Sequence, residues 1–66
     1  MTRTEYDERW ALPELIIQML SGKFDPISDE KWRALNNYVY DQVRHVPDTP
    51  DAHVAVTAAA KQFLTA

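Results

Sequence analysis

Two proline-containing breaks divide the chain into three stretches with helical patterns. The breaks are SGKFDPIS at residues 21–28 and HVPDTP at residues 45–50, and the single glycine and three of the four prolines lie in or beside them. Glycine and proline are typical of the ends of helices. The sequence therefore predicts an all-α protein, a small three-helix bundle with helices near residues 13–21, 29–46 and 50–64 and an additional short N-terminal helical or fold-back segment.

The second predicted helix has the clearest start. Ser28 can cap its N-terminus, and Asp29 and Glu30 place negative charge in the first turn. Ile27 before the cap and Trp32 at the fourth helical position have the spacing of a hydrophobic staple. We therefore expect Trp32 to be mostly buried, in contact with Ile27 and the first helix.

The other helix boundaries also have sequence signals. Thr49 can cap the third helix, with Pro50 at its first position, and Gly22 can stop the first helix. Upstream, Thr4 can cap an N-terminal helical piece. Pro13 follows this piece, and it lacks a backbone N–H donor and restricts the residue before it. We therefore expect a break or a sharp kink at Pro13.

Each predicted helix has one main apolar face when its residues are plotted at about 100° per residue. Ile17 projects to the other side of the first helix. Asn36 falls within reach of the second face, either half-exposed and satisfied by water or a neighbouring carbonyl, or as a polar specificity element between helices. The faces consist of Leu12, Leu15, Ile16, Met19 and Leu20 in the first helix, Trp32, Leu35, Val39, Val43 and Val46 in the second, and Ala52, Val56, Ala59 and Phe63, with Ala60 beside them, in the third.

The composition limits the size and the partners of the protein. A chain of 66 residues forms a single helical domain, residues 1–66, which is marginally stable without a disulfide, a metal or a partner chain. It has no cysteine, no run of about 18 apolar residues and a charged start, MTRTEYDERW, so we expect a cytoplasmic location and no membrane contact. The net charge of −3 and the scattered basic residues argue against nucleic acid as the main partner.

No catalytic or metal-binding constellation is recognisable in the sequence. The single glycine of SGK cannot build a phosphate-binding loop. His45 and His53 flank the second break with Asp48 and Asp51 between them, but their spacing matches no compact zinc motif. We therefore expect no metal, no cofactor and no enzymatic activity.

Aromatic residues outside the main apolar faces indicate a binding surface. If the first helix continued through Pro13, Tyr6, Trp10 and Ile17 would form a second apolar stripe. With a break, the upstream piece folds back and Trp10 joins the core. The two tyrosines of the second helix flank its apolar face, where their rings can instead pack within the bundle. The predicted partner-binding residues are Tyr6, Trp10, Ile17 and Tyr40, with Tyr38 in reserve.

These features favour a non-enzymatic protein–protein interaction module. It would be a small regulator or inhibitor that binds another protein, or itself as a homodimer, through the N-terminal aromatics and the shoulder of the second helix. The alternative is a small helix-turn-helix-like, DNA-associated transcriptional regulator with DAHVAVTAAAKQFLTA as its recognition helix. That helix begins with an acid and has one Lys and one Gln, whereas base reading usually needs Arg, Lys, Asn or Gln near the helix start. The size of the chain is typical of a bacterial or phage accessory protein.

Overall fold

The described part of the protein consists of helices and the connections between them. The computed structural model describes residues 1–21 and 27–65, and for residues 14, 18, 20 and 21 it describes only the backbone. These ranges contain no strand, so the all-α prediction is confirmed. The predicted stop at Gly22 and the predicted core position of the Leu20 side chain lie outside what the structure describes.

Four helices, α1 to α4, follow one another along the described residues. α1 is short and changes geometry midway, from an α-helical turn to a π-helical turn. The second, third and fourth helices match the three predicted helices, and α1 is the predicted N-terminal helical piece. The bounds are residues 3–10 for α1, divided into Arg3–Glu5 and Tyr6–Trp10, then Glu14–Ser21 for α2, Asp29–Val43 for α3 and Ala52–Thr65 for α4.

α1 is capped by Thr2, and the prediction that Thr4 caps it is wrong. The Thr2 hydroxyl oxygen accepts a hydrogen bond from the Glu5 backbone N–H at 3.2 Å, and the Glu5 carboxylate accepts one from the Thr2 backbone N–H at 2.9 Å. This reciprocal pair is a capping box, which needs Glu or Gln three residues after the cap. Thr4 has Asp7 at that position, so Thr2 is the better cap.

The helical path breaks at Pro13, as predicted. Residues 11–13 are not helical, and Ala11 (φ −59°, ψ 119°) turns the backbone out of the helix. The Pro13 carbonyl then accepts hydrogen bonds from the backbone N–H groups of Ile16 at 3.0 Å and Ile17 at 3.2 Å, which begins α2. Because of this break, α1 and α2 pack as separate helices.

Ser28 caps α3, as predicted. Its backbone is extended (φ −63°, ψ 154°), and its Oγ accepts a hydrogen bond from the Lys31 backbone N–H at 3.2 Å. α3 ends at Val43, earlier than the predicted Val46, because the chain tightens into a turn in which the Val46 N–H donates to the Val43 carbonyl at 2.9 Å. Pro47 therefore lies clear of the helix, where its missing N–H costs no helical hydrogen bond.

α4 begins at Ala52, slightly later than the predicted start at Pro50. The turn before it is closed by a hydrogen bond from the Ala52 N–H to the Thr49 carbonyl at 2.9 Å. The Asp51 carbonyl accepts the next bond, from the Val54 N–H at 3.1 Å. The connection between α3 and α4, the two longest helices, therefore consists of this turn and the proline-containing residues before it.

The core is built around the close pairing of α3 and α4, and both α1 and α2 pack against α4. Small alanine side chains on α4 allow the helix backbones to approach. The predicted core faces of α3 and α4 are confirmed at the buried positions given below. Trp32 is mostly buried, as predicted, and packs against the core. The buried core residues are Tyr6 in α1, Ile17 in α2, Leu35, Val39 and Val43 in α3, and Val56, Ala59 and Ala60 in α4.

The predicted core face of the first long helix is wrong at Leu15, Ile16 and Met19. Leu12, just before α2, packs against the core as predicted. Ile17, predicted to project away from the core, is fully buried, whereas Leu15, Ile16 and Met19 are 68%, 42% and 67% exposed. The α2 sequence, ELIIQMLS, is apolar around most of the helix. Periodicity cannot choose between two apolar sides of so short a helix. In the structure α2 packs against α4 with Ile17 buried, and this packing determines which side of α2 faces the core.

Candidate functional site

The predicted binding residues do not form one surface. Tyr6 and Ile17 are 1% and 0% exposed, so the prediction that they meet a partner is corrected: both are core residues. The fold-back of α1 buries Tyr6, and the packing of α2 on α4 buries Ile17. The three other predicted binding residues, Trp10, Tyr38 and Tyr40, are half-buried and pack against the core.

Tyr38 and Tyr40 use their rings within the bundle. The Tyr38 ring centroid lies 5.4 Å from that of Phe63, and the Tyr40 centroid lies 5.8 Å from that of Tyr6. Tilted aromatic pairs at these distances attract one another. The guanidinium carbon of Arg3 lies 5.3 Å from the Tyr40 centroid, close enough for a cation–π contact. Both tyrosines therefore pack within the bundle, which was the alternative to a role in partner binding.

Asn36 joins α1 to α3. It is 8% exposed, so the interpretation of Asn36 as a half-exposed side chain is wrong and its place is that of a polar element between helices. Its Oδ1 accepts a hydrogen bond from the Tyr6 hydroxyl at 2.8 Å, and its Nδ2 donates to the Trp32 carbonyl at 3.0 Å. Throughout the described side chains, no buried nitrogen or oxygen lacks a hydrogen-bond partner.

Burial also changes the acidity of Tyr6. Removal from water disfavours the phenolate and raises the pKa of Tyr6 to about 12, although the Arg3 charge nearby opposes the shift. The hydroxyl therefore remains protonated, and able to donate to Asn36, well beyond the pH at which an ordinary tyrosine ionises.

Stability is expected to fall above pH 10. Below the ordinary tyrosine pKa of 10.0 both states hold the proton, whereas between 10.0 and about 12 the unfolded chain releases it and the folded chain keeps it. The free energy of unfolding therefore falls by about 1.4 kcal/mol per pH unit in this window. Urea unfolding from neutral pH to pH 12 measures the loss. The Tyr6→Phe variant should lose less than the wild type, and equal losses would contradict the assignment to Tyr6.

A second polar connection holds α1 against the loop that follows α3. The Trp10 indole N–H donates to Asp48 Oδ1 at 2.7 Å, and Arg9 Nη1 donates to Asp48 Oδ2 at 2.9 Å. The pKa of Asp48 lies below its ordinary value, chiefly because the Trp10 hydrogen bond stabilises the carboxylate, with smaller contributions from Glu5 and Arg9. The predicted fold-back that brings Trp10 to the core is confirmed.

Two of the four acidic and histidine residues around the second break have hydrogen-bond partners within the protein. Asp48 is engaged by α1, and His53 Nδ1 lies 2.7 Å from the Pro50 carbonyl oxygen. Over residues 1–21 and 27–65, the structure has no group of three or more His, Cys, Asp or Glu side chains placed to hold a metal ion. The described part of the chain therefore offers no metal centre on which to base a function.

An exposed apolar patch on α2 is the surface that sequence reasoning missed. Leu15 and Met19 lie one helical turn apart with Ile16 beside them, on the side of α2 away from Ile17. We term these three exposed residues the α2 face. Single exposed apolar residues are normal, whereas a contiguous group is more informative. The sequence did contain a signal for this surface. The short helix α2 has more apolar residues than its one buried side can hold.

A groove of about 370 Å³ lies between α1 and α3, and we term it the α1–α3 groove. Its lining includes Arg3 and Asp7 from α1 and Trp32, Arg33 and Asn37 from α3. The two guanidinium groups outnumber the one carboxylate, although the whole protein has a net charge of −3. No sequence pattern could predict that these residues lie together, because the groove forms only when α1 folds back along α3.

The outer surface of α4 does not favour the DNA alternative. Residues 44–51, which connect α3 to α4, number eight, whereas the turn of a helix-turn-helix unit has about three or four residues. The outer surface of α4 has one lysine, Lys61, that could contact DNA phosphates. A shallow groove there is lined by His53, Val54, Thr57, Ala58 and Lys61.

Comparison of the chain with protein-family models, with curated proteins and with solved structures finds no match. None of the helices in the described ranges is long and apolar enough to cross a membrane. Among the described residues, the α2 face and the α1–α3 groove are the candidate contact surfaces.

Proposed function

We propose that the protein is a non-enzymatic protein-interaction module, a small regulator or inhibitor, and that its contact surface is the α2 face. The observation that carries the proposal is the exposure of Leu15, Ile16 and Met19, at 68%, 42% and 67%. Large apolar side chains that lie together in water mark contact sites more often than scattered ones do. Met19 adds a flexible, polarizable side chain of the kind that adapts to a partner surface.

A second copy of the chain is the partner that the α2 face fits best. An apolar patch is complementary to itself across a two-fold axis, because each copy places the same side chains against the other. α2 has one formally charged residue, Glu14, at its first position, so the negative charge of the protein offers little opposition along this face. Small domains with small cores also gain stability from oligomerisation.

The expected dimer is weak. A standard interface buries about 800 Å² on each partner, and three partly exposed side chains form only its apolar centre. We therefore expect a monomer–dimer equilibrium that depends on concentration, rather than an obligate dimer.

Sedimentation equilibrium from micromolar to millimolar protein should show this equilibrium. Leu15→Glu combined with Met19→Glu should raise the dissociation constant by about 100-fold or more, because each buried side chain contributes about 1.5–3 kcal/mol and 1.4 kcal/mol corresponds to tenfold. The matched control combines Val54→Glu with Ala58→Glu, which adds the same charge to exposed positions of α4. The control should keep the dissociation constant of the wild type.

Two results would contradict the proposal. If the wild-type chain stayed monomeric over the whole concentration range, the α2 face would not mediate self-association. Equal weakening by the α2 variant and the α4 control would assign the effect to charge and remove the role of the α2 face. Circular dichroism of both variants should show wild-type helix content, because all four substituted side chains are exposed.

A further inference from the structure

We propose that the α1–α3 groove binds a carboxylate, and that its ligand is an acidic side chain beside an apolar one in an extended peptide of a partner protein. The groove and the α2 face share no residue among the described lining. Ligand binding in the groove therefore does not depend on self-association through the α2 face.

The two arginines supply most of the hydrogen-bond donors of the groove. Arg3 and Arg33 have guanidinium groups, which contain no acceptor. The acceptor oxygens beside them are engaged by Arg3: its Nε lies 3.1 and 3.2 Å from the two Asp7 carboxylate oxygens, and its Nη1 donates to Asn37 Oδ1 at 3.0 Å. Since Oδ1 of Asn37 points at Arg3, Nδ2 of the same amide, a pure donor, points elsewhere.

Asn36 adds a donor on the inner side of the groove. Its Oδ1 accepts from the Tyr6 hydroxyl, and one hydrogen of its Nδ2 is directed to the Trp32 carbonyl. A carboxamide nitrogen has a second hydrogen. Asn36 is 8% exposed and lines the groove, and its Oδ1 is already engaged by the Tyr6 hydroxyl.

Trp32 supplies the apolar part of the site. Its partly buried indole lines the groove next to Arg33 in sequence. A ligand with an apolar group beside its carboxylate would contact both the indole and a guanidinium. Trp and Arg are also the residues that dominate binding hot spots.

The charge and size of the groove favour a carboxylate over other anions. Two guanidiniums against the Asp7 carboxylate leave one net positive charge, which suits a single carboxylate and is small for a nucleic-acid backbone. The planar fork of a guanidinium matches the two oxygens of a carboxylate. A volume of about 370 Å³ lies at the small end of ligand sites, which fits one or two peptide side chains.

The probe for a test is an acetylated and amidated pentapeptide of alternating glutamate and leucine. Its control is the same peptide with glutamine in place of glutamate. Proton–nitrogen correlation spectra resolve the two indole N–H signals of the protein. The glutamate peptide should shift the Trp32 signal in a saturable way, while the Trp10 signal, held by its bond to Asp48, should stay in place.

Arginine variants then locate the site. Arg33→Gln should weaken the binding of the glutamate peptide by about tenfold, as expected for the loss of a charge-assisted hydrogen bond. Arg44→Gln makes the same charge change at an exposed residue that follows α3 and is outside the groove lining, and it should leave the affinity unchanged.

Three outcomes would overturn the inference. If the glutamine peptide bound as well as the glutamate peptide, the carboxylate would have no role in binding. Arg44→Gln could weaken binding as much as Arg33→Gln, which leaves only general electrostatic attraction. The Trp32 signal could remain unmoved at saturating peptide, which places any binding elsewhere.

Discussion

Replacing Tyr6 with alanine is expected to leave the isolated chain largely unfolded. The side chain is 1% exposed and belongs to the core cluster. Truncating a buried aromatic costs about 3–5 kcal/mol, and removing the hydroxyl that donates to Asn36 at 2.8 Å adds about 1–3 kcal/mol. A single core in a chain below about 70–80 residues supplies only about 3–5 kcal/mol. The loss is therefore as large as the whole stability.

Thermal melting followed by far-ultraviolet circular dichroism measures this result. The Tyr6→Phe variant is the matched control, because it keeps the buried ring and loses only the hydrogen bond. It should remain folded with a lower melting temperature, since the cost is about 1–3 kcal/mol. If Tyr6→Ala melted together with the wild type, α1 would not belong to the core of the protein in solution.

Ile17→Ala is expected to have the second largest effect, a loss of about 2–5 kcal/mol in the free energy of unfolding. Ile17 is fully buried, while its neighbour Ile16 is 42% exposed. The same truncation at Ile16 should change stability by only about 0.5 kcal/mol. The two variants remove the same atoms from adjacent positions of one helix, so the difference between them reports only which side of α2 faces the core.

Urea unfolding of the two variants at equal protein concentration gives both values. The order of effects is the decisive readout. A larger loss at Ile16 than at Ile17 would mean that α2 packs by the side first predicted from its sequence. The α2 face would then be buried, and the surface proposed for self-association would not exist.

The sequence predicted the fold class and several boundaries because those depend on local chemistry. Ser28 caps α3 through a hydrogen bond to a residue three positions away, and Pro13 breaks the helix through its own ring and missing donor. The faces of α3 and α4 were also predictable, since Asp29–Val43 and Ala52–Thr65 each span several turns. Over that length, one apolar side stands out from the rest.

The side of α2 and the candidate surfaces could not be predicted in the same way. Glu14–Ser21 covers only about two turns and is apolar on both sides, so the choice was made by packing against α4. The same fold-back argument that placed Trp10 at the core applied to Tyr6 as well, although Tyr6 was predicted to be a surface residue. Its hydrogen bond to Asn36 joins residues 30 positions apart, which no spacing rule predicts.

The hydrogen bonds that hold α1 in place have a consequence for how the chain folds during its synthesis. They pair Tyr6 with a residue 30 positions later, and Trp10 with one 38 positions later. A ribosome makes the N-terminal end first, so α1 is synthesised before either of its partners has been added. A helix this short does not persist alone in water. α1 can therefore reach its full set of partners only after the ribosome has passed Asp48, well after α1 itself has been made.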